Sequence, residues 1–125
     1  TMSQLDDACQ DFQAAIQLAP GYCEARVGYA TALMRVPDPN RAVQTLRAGL
    51  HYAALPAERA AILRALSDAL VQLGDYVGAE QALSEALQSG PTSADLHDRL
   101  ARLRARTGRL AESFDELLRA ARFQP

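Results

Sequence analysis

Three observations predict an all-α chain of seven helices stacked as antiparallel hairpins. Apolar residues recur at helical spacing along almost the whole sequence. Short breaks built from Gly and Pro interrupt that pattern at regular intervals. A set of residues also repeats at one fixed separation of 34. Strand signals are missing: Ala, Leu, Arg, Gln and Glu dominate, and no stretch alternates apolar and polar positions with β-branched residues.

From the N-terminus, Leu5, Ala8, Phe12 and Ile16 mark a first helix that ends before Pro20-Gly21. Tyr29, Ala30 and Leu33 mark the second, closed by Pro37-Asp38-Pro39, where Asp38 reads as N-cap and Pro39 as first helical residue. The third carries Ala42, Leu46 and Gly49, and Leu55-Pro56 separates it from the fourth. Ile62, Leu63, Leu66, Ala69, Leu70 and Leu73 stripe the fourth helix, and Gly74 reads as its left-handed C-terminal cap. Ala79, Leu83, Ala86 and Leu87 mark the fifth, up to Gly90-Pro91. Leu100 and Ala101 belong to the sixth, which Gly108 is expected to cap as Gly74 caps the fourth. Ser113, Leu117 and Ala120 belong to the seventh.

Gly74 and Gly108, Leu66 and Leu100, Leu83 and Leu117, Ala86 and Ala120, and Pro91 and Pro125 are all 34 residues apart. Within residues 60–93, Leu63, Leu66, Ser67, Leu70, Ala79, Leu83, Ala86 and Pro91 fill every large and small slot of a known pattern. The sequence resembles the tetratricopeptide repeat, a helix-turn-helix unit of about 34 residues. The resemblance divides the single domain 1–125 into a half repeat at 1–22 and repeats at 23–59, 60–93 and 94–125. Two units depart from the pattern: Arg26 replaces a large apolar residue, and so do His97 and Arg104, of which His97 is expected to pack between repeats. Small residues let helices approach closely, large ones fill the spaces between, and one hairpin cannot bury its apolar face alone. The fold implied is a right-handed α-α superhelix, a solenoid of hairpins.

Bulk composition narrows function. A net charge of −2 on 125 residues argues against a nucleic-acid binder, and no apolar run is long enough for membrane insertion. All 13 basic residues are Arg, a bias expected of GC-rich bacterial coding. Residues 1–11 lack a secretory signal pattern, so the expected compartment is the cytoplasm, or the periplasm if a signal preceded Thr1. No catalytic or cofactor motif occurs, which points away from an enzyme; no cofactor and no metal site is expected. His51 and His97 have no Cys or carboxylate at ligand spacing around both. Cys9 and Cys23 read as small apolar fillers. Gly74-Asp75-Tyr76-Val77-Gly78 comes after a helix rather than a strand, so it reads as a turn and not a phosphate loop.

In this family the first helices of successive repeats line a concave groove. Carried onto the chain, the resemblance places Val27, Gly28, Thr31 and Arg35 there from one repeat, Arg64, Asp68 and Gln72 from the next, and Asp98, Arg99, Arg102 and Arg106 from the last. The Lys and Asn pair with which some members clamp a terminal carboxylate is missing, since the matching slots hold Val27 and Thr31, Arg64 and Asp68, or Asp98 and Arg102. The Asp95–Arg99 and Asp98–Arg102 spacings predict i,i+4 ion pairs. The function implied is a scaffold or adaptor that holds a peptide or protein partner, acidic if the arginines are free, as part of a larger bacterial protein. The other readings are a regulatory or targeting domain of a multidomain enzyme and a self-assembling module. The last draws on lopsided charge: residues 1–24 hold Asp6, Asp7, Asp11 and Glu24 with no Arg, while 99–122 hold seven Arg against Glu112, Asp115 and Glu116. Apolar, oppositely charged ends would make a homo-oligomer by head-to-tail stacking.

Overall fold

A computed structural model describes residues 1–89 and 93–123, without the side chains at 112, 113, 116, 117 and 119–123. The Gly90-Pro91 break, Pro125, and the slots assigned to Ser113, Leu117 and Ala120 lie outside what is described. Six helices and no strand are found among the described residues: α1 Met2–Leu18, α2 Cys23–Arg35, α3 Pro39–Leu50, α4 Pro56–Gln72, α5 Tyr76–Ser89 and α6 Ala94–Phe123.

Local chemistry sets the helix ends. Thr1 and Gln4 form a capping box at the start of α1. The Asp38 carboxylate accepts from the Arg41 N–H, and Pro39 comes next at the start of α3. Past α4, Gly74 takes φ +83°, the left-handed conformation that closes a helix. The Asp75 carboxylate then accepts from the Gly78 N–H at 2.9 Å and starts α5.

The seventh helix expected from the sequence is not a separate element. Gly108 lies inside α6, whose 30 residues run unbroken, and Gly74 is the glycine with positive φ among the described residues. The difference lies in the residues just beyond each glycine. Asp75 can cap a new helix, whereas Arg109, Leu110 and Ala111 are good helix formers with no capping oxygen. Carrying Gly108 within the helix costs only about 1 kcal/mol relative to Ala.

Each helix packs on the next, and α2 also packs on α4. One core runs through α2 to α6, built on Tyr29, Leu33, Leu46, Ile62, Leu63, Leu66, Leu70, Leu83, Leu96, Leu100 and Leu103. The small residues sit where close approach needs them: Ala30, Ala42, Ala69, Ala79 and Ala86 have no exposed surface. His97 does not pack between repeats; it is exposed, and Leu96 is the buried residue beside it. The side of α6 bearing His97, Ala101 and Arg104 corresponds to the Leu63, Ser67 and Leu70 side of α4, which α5 covers. With α6 straight, that side stays largely exposed, and Arg104 reaches from it to pair with Glu80 of α5 at 3.0 Å.

Arg26 fills its large-residue slot in an unexpected way. Its stem is buried, its Nε donates to the Pro20 carbonyl at 2.9 Å, and its Nη1 donates to the Thr45 carbonyl at 3.2 Å. Its guanidinium lies 5.1 Å from the centre of the Tyr52 ring. Gly49 makes the room: a Cβ there would stand 2.9 Å from Arg26 Cδ. At the other end of the chain, α1 lays Leu5, Cys9, Phe12 and Ile16 toward α2 and turns Asp6, Asp7, Gln10, Asp11 and Gln17 outward. The apolar side of α1 is therefore only half-buried, Met2 and Leu18 at its ends are exposed, and its outer surface is polar.

Candidate functional site

The first-helix faces of α2, α4 and α6 carry a line of surface cavities. One of about 320 Å3 is lined by Thr31, Met34, Arg35, Ala65, Asp68 and Gln72. A second, of about 200 Å3, shares Asp68 with it and adds Ser67, Val71, Arg99, Arg102, Leu103 and Arg106. A third, of about 420 Å3, shares Arg102 and Arg106 and extends to Arg109 and Leu110. Of the residues assigned to the groove, Thr31, Arg35, Asp68, Gln72, Arg99, Arg102 and Arg106 are brought together along this line. Val27 is not. It opens on a separate apolar cavity of about 460 Å3, with Tyr22, Cys23, Glu24, Ala57, Glu58 and Ala61. Gly28 does not reach the groove either, because the Phe12 ring covers it so closely that a Cβ would stand 2.5 Å from Phe12 Cε1.

Most of the groove's polar groups already have partners. Arg64 Nη1 lies 3.2 Å from the Asp95 carboxylate, and Arg99 Nε lies 3.1 Å from the same group. Arg99 Nη1 also donates to Asp68, so two Arg and two Asp alternate across the α4–α6 junction. Asp98 pairs with Arg102 at 3.0 Å, which with Asp95–Arg99 gives both spacings expected along α6. Gln72 donates to the Met34 carbonyl at 3.1 Å, tying α4 to α2. The Thr31 hydroxyl donates back to the Val27 carbonyl at 2.9 Å. The Arg106 guanidinium stacks 4.6 Å from the centre of the Tyr76 ring.

This arrangement corrects the electrostatics expected from sequence. Arg99 is committed to two carboxylates and is not available to an acidic ligand. The cations that remain open on the groove are Arg35, Arg106, Arg109, and Arg102, whose side chain stays 81% exposed in its ion pair. Partial burial works to raise the Asp95 pKa, but the hydrogen bond from Arg64 and the charge of Arg99 outweigh it and hold the carboxyl below its ordinary value. In the separate cavity, burial and then the neighbouring Glu58 push the Cys23 thiol up, which disfavours its nucleophilic thiolate form. The link from Arg64 to Asp95, 31 residues apart, was within reach of sequence reasoning. Opposite charges near one repeat length apart on successive first helices are its signal.

No helix among the described residues is long and apolar enough to cross a membrane. No group of His, Cys, Asp and Glu suited to a metal is found among them. No curated protein matches the chain. A family model described as Tetratricopeptide repeat matches residues 59–103, which take in most of α4, all of α5 and the start of α6. That stretch holds the buried small residues Ser67 and Ala79 and the turn at Gly74. By this match residues 59–103 are similar to a tetratricopeptide repeat, the helical hairpin of a family that in general acts through protein–protein contact.

Proposed function

We propose that the chain is a non-catalytic protein-interaction scaffold that takes an extended peptide or protein segment along α2, α4 and α6, on the inner side of the right-handed superhelix its repeats imply. The single observation that carries this reading is the continuity of the three cavities, which share Asp68, Arg102 and Arg106. Charge grades along the line. Near α2 and α4 the surface mixes Arg35, Asp68 and Gln72, and toward the end of α6 it becomes basic with Arg102, Arg106 and Arg109. A ligand with acidic residues at one end fits that gradient.

The test is an array of acidic peptides probed with the parent chain and with Arg102→Glu/Arg106→Glu. Both positions are exposed, so the unfolding midpoint is expected to hold. Binding is expected to weaken about tenfold or more, since like charges then face each other. Hydrogen exchange on the bound chain should show protection on α2, α4 and α6. Protection confined to α3 and α5 would overturn the groove assignment, as would undiminished binding by the double variant.

A further inference from the structure

The cavity between the starts of α2 and α4 stands apart from the groove. At about 460 Å3 it is larger than each of the three groove cavities, and it shares no lining residue with them. Its apolar walls are Tyr22, Val27, Ala57 and Ala61, with buried Cys23 among them. Cys23 Sγ donates to the Gly21 carbonyl at 3.6 Å, and its raised pKa keeps it an uncharged part of the wall. Two carboxylates complete the lining, Glu24 from the first turn of α2 and Glu58 from the first turn of α4. One acid in a first turn is ordinary at a helix start. Here both line a single apolar cavity, from helices with α3 between them in the chain. Among the described residues neither has an ion-pair partner. The arginines nearest them in sequence are engaged elsewhere: Arg26 donates to the Pro20 and Thr45 carbonyls, and Arg59 lies 3.8 Å from Glu85.

We propose that this cavity is a subsite for an arginine side chain of a partner protein, its stem against Val27, Ala57 and Ala61 and its guanidinium between Tyr22 and the Glu24 and Glu58 carboxylates. Charge complementarity requires a cation, since an anionic or purely apolar side chain would cover two carboxylates and pair with neither. The apolar walls require a long aliphatic stem beneath that charge. Tyr22 decides between arginine and lysine. It is 51% exposed, and its hydroxyl donates to Glu24 at 3.2 Å, which holds ring and carboxylate side by side. A planar guanidinium stacks on an aromatic face while its edge pairs with a carboxylate, whereas an ammonium is more strongly hydrated and gains less there. The chain sets its own arginines in the same way, Arg26 over Tyr52 and Arg106 over Tyr76.

This subsite goes beyond the groove reading and does not depend on it. The groove selects acidic residues through Arg102, Arg106 and Arg109 at the α6 end, and none of those lines the α2–α4 cavity.

The experiment is a titration of the isotope-labelled 125-residue chain with N-acetyl-arginine methylamide, followed through backbone amide shifts. Saturable shifts are expected at Tyr22, Glu24, Ala57 and Ala61, with a dissociation constant of about 1 mM for a probe of this size. N-acetyl-citrulline methylamide, close in shape but uncharged, should bind about tenfold more weakly. Glu24→Gln/Glu58→Gln should lose about tenfold in affinity for the arginine probe. Ala61→Leu, which fills the cavity and keeps both carboxylates, should lose a similar factor. Should the double variant fail to keep the parent's amide spectrum, Glu24→Gln and Glu58→Gln singly are each expected to lose about threefold. Arg102→Glu/Arg106→Glu should bind the arginine probe as the parent does, so failure here and failure of the groove are told apart. Shifts centred on Asp6, Asp7 and Asp11 of α1 overturn the proposal, and so does the absence of any saturable shift. Equal binding of the citrulline probe, or undiminished binding by Ala61→Leu, overturns it as well.

Discussion

Replacing Arg26 by Met is expected to destabilise the chain by about 2 kcal/mol. Met keeps an unbranched stem in the slot beside Gly49 but removes the guanidinium. The Pro20 carbonyl lies outside any helix, and with Arg26 gone it loses its 2.9 Å donor. A hydrogen bond from a charged donor is worth about 1.5–3 kcal/mol. The bond to Thr45, whose carbonyl sits within α3, and the stacking on Tyr52 add about 0.5–1 kcal/mol each. Against this gross loss stands the dehydration of the guanidinium, which Met does not suffer and which brings the net to about 2 kcal/mol. For a chain of this size that corresponds to a fall of about 6–10 °C in Tm. Urea unfolding followed by far-ultraviolet circular dichroism would measure it, with Arg26→Lys expected to fall between Met and the parent because an ammonium has no fork to span both carbonyls. A Met variant as stable as the parent would refute the reasoning, and would mean that dehydration of Arg26 cancels everything its hydrogen bonds contribute.

Two further outcomes are expected. Because the folded pKa of Asp95 is lowered, its contribution to stability is present in full above the unfolded carboxyl value of about 3.9 and is lost as pH falls through the folded value. Urea midpoints at about pH 7 and pH 3 should therefore differ less in Asp95→Asn than in the parent. Gly74→Ala should cost about 1–2 kcal/mol because of the left-handed backbone there, while Gly108→Ala, in helical backbone with open space around it, should gain up to about 1 kcal/mol. Equal effects at the two glycines in thermal unfolding would contradict the unbroken α6.

The repeating hairpins were legible because their code is local. Ala79, Leu83 and Ala86 announce a close helix contact by size and spacing alone, and the structure buries all three. The fate of Gly108 was harder to read. The same residue stands at the same place in the 34-residue period as Gly74, and only its neighbour, Arg109 rather than Asp75, decides whether the chain turns. Groove electrostatics escaped for a different reason. Whether Arg99 faces a ligand or a carboxylate depends on Asp68 and Asp95, one of which lies a repeat away, and composition counts charges without pairing them. Arg26 looks like a fault in the pattern only if a slot for a large residue must hold an apolar head. The slot needs volume, and Pro20 and Thr45 supply acceptors for the rest.

The length of α6 has a mechanical consequence. At about 1.5 Å per residue its 30 residues extend about 45 Å. Only its first part is held, by α5, by Leu96, Leu100 and Leu103 in the core, and by the ion pairs of Asp95 and Arg99 with Arg64 and Asp68. A rod held near its base is a lever: a tilt of about 5° at that seat carries the far tip about 4 Å. By geometry alone, any rotation at that seat is read as a larger displacement at the far end of α6.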